Sequence, residues 1–238
     1  MGILKLTPRL AAIAALVPEG ARIADIGTDH GYIPIYLAQN GIADSVIAAD
    51  IVFGPLEAAR RNAVLHEVDD KIQFILCDGL CGIDPDSVDT VIIAGMGGDN
   101  IAGILSRAPW SAEDGRLLIL QPASRPWALR RYLAENGFKV MTEQLTEDSG
   151  RIYPIMTARR GAERAMTPAE EYTGKIELIS GDPLLGALLG KYISELSNAI
   201  SGMSSSEREE LIGRREKLTA VLNGLTAMKG ELPCGNCK

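Results

Sequence analysis

In close succession, Asp25-x-Gly27-x-Asp29-x-Gly31 sets carboxylates against glycines. The apolar run Arg22–Ile26 leads into this segment, and a helix-compatible run, Tyr32–Asn40, leads out of it. The carboxylates therefore belong to a tight strand-to-helix turn, where nucleotide-binding α/β proteins hold their ligand. A dinucleotide fingerprint reads G-x-G-x-x-G, whereas here Asp29 takes the second glycine position. A helix N-terminus at such a turn attracts anions, and carboxylates placed there would repel a pyrophosphate. They suit a ligand with a cationic amino group and a sulfonium, which points to S-adenosylmethionine rather than NAD.

Other residues extend the pattern. Asp50 directly follows the second strand-like run, the position from which an acid binds ribose hydroxyls one βαβ unit downstream of the glycine turn. Asp78-Gly79 follows the third run; its acid can accept from an adenine amino group, and its glycine lets the backbone approach the ring. Gly95-Met96-Gly97-Gly98 follows the fourth and reads as a strand-to-helix turn. Enzymes that methylate amino groups carry an Asn/Asp-Pro-Pro-aromatic turn at this edge, and neither prolines nor an aromatic stand here. The glycines allow either a flat group to lie against the turn or a plain flexible connection. His30, one of two histidines, is a candidate general base or a hydrogen-bonding neighbour of the loop.

The elements that must position these residues alternate. A short amphipathic helix (Pro8–Val17) precedes strand-like runs at Arg22–Ile26, Ser45–Ala49, Ile72–Leu76, Thr90–Ala94 and Arg116–Leu120. Helical patterns fall between and after them at Tyr32–Asn40, Pro55–His66, Asn100–Arg107 and Pro126–Asn136, with Gly41 and Gly137 at the expected C-caps. Strands apolar throughout imply a parallel sheet covered on both faces. Phe138–Leu145 and Arg151–Ala158, linked by Thr-Glu-Asp-Ser-Gly, predict a terminal antiparallel hairpin. The expected fold is thus α/β, Rossmann-like, a parallel sheet ending in an antiparallel hairpin as in class I methyltransferases. The expected domains are 1–160, carrying the site, and 161–238, a coiled-coil-like helical hairpin. That hairpin is predicted from apolar stripes in Asp182–Gly202 and Glu207–Met228, with Ser206 and Glu209 as a capping box.

At 238 residues and 46% hydrophobic content, the chain can bury a full core. No apolar run is long enough to span a bilayer. The N-terminal stretch lacks the basic start and small-residue cleavage site of a secretory signal, so a cytoplasmic location is expected. Of the four cysteines, Cys234 and Cys237 form a lone C-x-x-C, half of what zinc requires; no metal is expected. A net charge of −7 argues against indiscriminate nucleic-acid binding but leaves room for a local patch at Arg60-Arg61, Arg130-Arg131 or Arg159-Arg160.

Asp-Ile-Gly-Thr-Asp-His-Gly-Tyr-Ile-Pro (25–34), Gly-Pro-Leu (54–56), Asp-Gly-Leu (78–80), Ala-Gly-Met-Gly-Gly (94–98) and Leu-Gln-Pro (120–122) together resemble the bacterial tRNA adenine-N1 methyltransferases that modify position 22. The resemblance covers essentially the whole chain; Cys-Gly-Asn-Cys at the end departs from it. It implies methyl transfer from S-adenosylmethionine to N1 of an adenine in the tRNA D-arm, with tRNA the expected partner. Independently of the resemblance, a monomer or weak homodimer is expected, with no membrane. The cofactor is expected at Asp25, Gly27, Thr28, His30, Gly31, Asp50, Ile51, Asp78, Gly79, Gly95 and Met96. Asp29 is the expected catalytic carboxylate, stabilising the cationic product ring. For tRNA, contacts are expected from Arg9, Arg60, Arg61, Gly97, Gly98, Gln121 and Arg125. Arg130 and Arg131 complete a basic surface near the carboxyl edge of the sheet.

Overall fold

The computed structural model describes residues 2–203 and 209–232. The strands are β1 (Ala21–Ile26), β2 (Ala43–Asp50), β3 (Ile72–Leu76), β4 (Thr90–Gly97), β5 (Leu117–Ser124), β6 (Phe138–Asp148) and β7 (Arg151–Arg160). They form one seven-stranded sheet in the order β3-β2-β1-β4-β5-β7-β6. β1 to β5 pair in parallel, and β7 runs antiparallel to both β5 and β6. The chain reverses direction across the sheet between β1 and β4, and a ligand crevice opens outside the carboxyl ends of strands at such a switch point.

Helices α1 (Pro8–Ala14), α2 (Tyr32–Gln39), α3 (Phe53–Leu65), α4 (Gly98–Ser106) and α5 (Pro126–Glu135) lie between and before the strands. Their apolar residues cover the sheet. Ile13, Ile23, Ile35, Leu37, Ile92, Ile119 and Ile155 belong to one buried cluster. Ile101, Leu105, Leu129 and Leu133 of α4 and α5 are buried as well. With both faces covered, the central strands need no polar alternation, as their sequence foretells.

Three segments differ from expectation. β4 does not stop at Ala94: Gly95 adopts φ 80°, the register shifts there, and pairing with β5 continues to Gly97. The glycine run is therefore a bulged strand end that passes straight into α4. The β6–β7 connection shrinks to Ser149 and Gly150, both left-handed at φ 52° and 73°, the requirement of a two-residue hairpin turn matched to strand twist. Finally, two short helices that the sequence reading omits, α6 (Pro168–Thr173) and α7 (Ile176–Ile179), precede the long ones. α6 starts on a capping box: Thr167 accepts from the Glu170 amide while Glu170 accepts from the Thr167 amide. Arg164 clamps this turn by pairing with Glu170 and Glu177.

The chain divides into two units between Glu163 and Arg164. In the second, α8 (Leu185–Gly202) and α9 (Glu209–Glu231) pack on each other. Leu185, Leu188, Leu189 and Leu196 of α8 are buried, as are Val221 and Leu225 of α9. Gly186 and Gly190 lie near Leu232 and Lys229, so α9 returns antiparallel to α8, the expected helical hairpin. The predicted capping residue Ser206, the predicted helix start at Glu207, and Cys234 and Cys237 lie outside the described residues.

Candidate active site

β1 delivers Asp25 to the carboxyl edge, where it is buried and accepts from Thr28 Oγ1 at 2.8 Å. Burial raises its carboxyl pKa to about 7; the Thr28 hydrogen bond lowers it, and the nearby Asp50 charge raises it further. Gly27, at φ 72°, and Thr28 both donate backbone N–H groups to Ala49 O, which docks the turn onto β2. Asp50, buried at the end of β2, accepts from the Asp29 amide at 3.2 Å and from the Val52 amide at 2.9 Å. Its carboxylate thus braces both loops, and an ionised carboxylate has acceptor sites left for a ligand.

Asp29 itself has a left-handed backbone (φ 53°) and an exposed side chain, with His30 Nε2 3.8 Å from Oδ1. The His30 ring stacks on Tyr32 at 5.6 Å. Gly31 serves packing: at φ 73°, a Cβ there would stand 2.9 Å from Ala59 Cβ of α3.

Beside the turn after β1 lies a cavity of about 420 Å³ lined by Asp50, Ile51, Asp78, Gly79, Met96 and Arg107, among others. Ile51 is 61% exposed there, an apolar surface available to a flat ring. Asp78 is paired with Arg107 at 2.9 Å, a partner the sequence reading missed because the two residues are far apart in the chain. A second cavity, about 560 Å³, is lined by Arg9, Asp25, Asp29, His30, Tyr32, Asp148 and Tyr153, among others. Gly27 and Met96 line both cavities. The Met96 methyl lies against Gly27, 2.1 Å from where a Cβ would stand. The bulge at Gly95 is what turns this side chain between the two spaces.

Gly97 and Gly98 do other work. A Cβ on Gly98 would sit 2.3 Å from the Arg125 carbonyl oxygen, and one on Gly97 would sit 3.3 Å from Ser124 Oγ. These two glycines admit the close approach of the end of β5 and of Arg125 just after it. Arg125, left-handed at φ 53°, pairs with Asp99 at 2.5 Å.

The six arginines do not form one basic surface. Arg130 is 1% exposed and paired with Glu143, itself equally buried. Removing one partner of such a pair costs about 3–5 kcal/mol, which makes it a structural strut between α5 and β6. Arg60 bonds Glu57 and lies over the Phe74 ring at 4.8 Å, and Arg61 is exposed on the same helix, α3. Arg131 is exposed on α5. Of the six, Arg9 lines one of the two cavities described above; its Nη1 donates to the fully buried Gln121 Oε1 at 2.7 Å. Tyr153 and Asp148, which share that cavity, escaped the sequence reading because nothing in an alternating strand marks them as functional. Among the described residues no group of His, Cys, Asp and Glu is arranged to hold a metal ion, and no helix is long and apolar enough to cross a membrane.

Sheet order, the acid-bearing turn after β1 and two cavities meeting at the switch point define a Rossmann-like methyltransferase fold. Residues 6–156 match the methyltransferase domain family. The tRNA (adenine(22)-N(1))-methyltransferase of Bacillus subtilis (strain 168) is 34% identical over 200 residues, 84% of this chain and 79% of that protein. The solved B. subtilis M1A22 tRNA methyltransferase superposes with a TM-score of 0.80 at 28% identity, covering 95% of this chain and 99% of that one. Streptococcus pneumoniae Sp1610, solved in complex with S-adenosyl-L-methionine, gives 0.79 at 32% identity over 92% and 100% of the two chains. The chain belongs to the tRNA (adenine(22)-N1)-methyltransferase family.

Proposed function

We propose that this protein transfers the methyl group of S-adenosylmethionine to N1 of adenine 22 in tRNA. The observation that carries the reading is the pair of cavities that share Gly27 and Met96, one lined by Asp50, Ile51 and Gly79 and the other by Asp25 and Asp29. Asp50, Ile51 and Gly79 suit the ribose and adenine of the cofactor, and the buried Asp25 suits its ammonium group. Bound there, the cofactor supplies an electrophilic methyl on a sulfonium.

The chain's own contribution is placement and charge. Adenine N1 is already a neutral nucleophile, so holding it in line with the methyl is the larger part of the task. The product ring is cationic, and Asp29, exposed in the lining of the second cavity, stabilises that charge as it develops. A base within folded tRNA must also be unstacked to enter. Both cavities are lined within the first unit, residues 7–153, consistent with a catalytic domain at 1–160 and a helical hairpin at 161–238 that grips substrate.

The test is transfer from labelled S-adenosylmethionine to an unmodified tRNA transcript, with N1-methyladenine sought in nuclease digests. A transcript with guanine at position 22 should stay unlabelled. Label in protein or a small metabolite, with none in tRNA, would overturn the reading.

A further inference from the structure

Arg9 has the features of a prepared anion site. Arg9 lines the same cavity as Asp29, and its guanidinium lies over the Tyr153 ring at 5.6 Å. Nη1 passes near the bulge, 3.6 Å from where a Cβ on Gly95 would stand. Its one side-chain hydrogen bond among the described residues goes to Gln121, while Asp148 accepts from its backbone N–H and lies close enough that, after the hydrogen bond from Thr7, the guanidinium charge helps hold the Asp148 carboxyl low. A guanidinium has five N–H donors in a rigid fork, so most of this one's capacity is left for a ligand.

Gln121 is built around that arrangement. Its Oε1 accepts from Arg9 at 2.7 Å and from the Gly95 amide at 3.1 Å. Two donors on the same side fix the amide with its oxygen toward them. Nε2 is then buried without a hydrogen-bond partner. Leaving a buried donor unpaired is costly, and an apolar residue of similar size would avoid that cost. What glutamine adds is a fixed place for Arg9, tied to the same glycine whose bulge sets Met96.

The charge around Arg9 says which part of a nucleotide it meets. Asp25, Asp29 and Asp148 line the same cavity. They favour a ring that becomes cationic, whereas a guanidinium against that ring would oppose the reaction. A phosphate is the part of a nucleotide that suits an arginine fork. We propose that Arg9, positioned by Gln121 and Tyr153, clamps a phosphate of the target nucleotide, and that Gln121 is the positioning residue for this contact. The inference rests on the methyl-transfer reading above.

The experiment measures methylation of a tRNA transcript by the full chain across a salt series, with cofactor affinity followed by calorimetry. Arg9→Ala should raise KM for tRNA about tenfold and reduce the slope of log affinity against log salt by about 0.7–0.9, the loss of one phosphate contact. Its kcat at saturating tRNA and its cofactor affinity should hold. Arg9→Lys should restore the slope but only part of the affinity, since a point charge lacks the fork. Gln121→Leu should raise KM with the slope kept, because the charge survives and its placement does not. An Arg9→Ala protein with unchanged KM and slope overturns the proposal, as does a fall in kcat alone. If Arg9→Ala fails to fold, the Lys and Gln121 variants decide by the same criteria. A wild-type chain that methylates no tRNA would instead overturn the proposed function.

Discussion

The turn after β1 and the strand end of β4 lie side by side at the carboxyl edge, because β1 and β4 are neighbours in the sheet. Both are rich in glycine, and they use it for different purposes. At Gly27 a Cβ would meet only the terminal methyl of Met96, the far end of a flexible side chain. At Gly98 it would meet the backbone carbonyl of Arg125, which cannot give. One glycine keeps a threshold clear between two cavities; the other lets two segments of chain touch. Composition alone does not distinguish a glycine that serves a ligand from one that serves packing.

The sharpest way to break this contrast is at Asp29, the acid of the ligand-serving turn. Asp29→Ala and Asp29→Asn should each slow turnover by about 10²–10³-fold, the scale of removing one preorganised electrostatic group. Cofactor affinity should fall little. Single-turnover rates that recover fully at saturating cofactor would remove Asp29 from the reaction.

Next comes the pair of glycines. Gly98→Ala should lose about 3 kcal/mol of stability in urea titration, the upper end of ordinary overpacking, because backbone meets backbone. Gly27→Ala should lose about 1–2 kcal/mol for a side chain in a left-handed conformation. It should fold, and its defect should show in cofactor binding. A reversed order of stabilities would dissolve the distinction.

Asp50→Ala should weaken S-adenosylmethionine by about 1–3 kcal/mol in calorimetry, the range for stranding a buried polar partner. An unchanged dissociation constant would mean that the ribose is held elsewhere and that Asp50 only braces the loops.

The smallest effect is a pH dependence. Burial lifts the Asp25 carboxyl from 3.8 to about 7 in the free protein, so the folded chain holds a proton that the unfolded chain has lost. That contribution to stability is complete below pH 3.8 and fades as pH rises through about 7. A bound ammonium favours the ionised form, so cofactor affinity should run the other way, falling as pH drops below about 7. Calorimetry near pH 6 in buffers of different ionisation enthalpy should detect proton release on binding. In Asp25→Asn that release should vanish.

Much of this was legible in the sequence. Strand and helix alternation follows from local apolar periodicity, and β3 begins and ends where the sequence places it. The acids at 25, 29 and 50 were found because a strand-turn-helix puts fixed positions at a fixed edge. The Thr167 and Glu170 capping box is equally visible in the sequence, but no long apolar run follows it to mark a helix. Arg130 was misplaced for a different reason. Its neighbour Arg131 is exposed, and the approach of Glu143 from β6 gives the buried Arg130 charge an ion-pair partner that no local pattern marks.

By itself, then, the sequence determined the fold class, the turn after β1 and the carboxylates around it, because backbone preference and side-chain period act over a few neighbouring residues. The tertiary structure decided the rest. Gln121 reaches Arg9 across 112 positions of chain, and Met96 comes to rest on Gly27 only because β4 pairs with β1 and bulges at Gly95. Contacts of that kind depend on strand order and on one left-handed glycine, and neither leaves a local signal that singles out the partners.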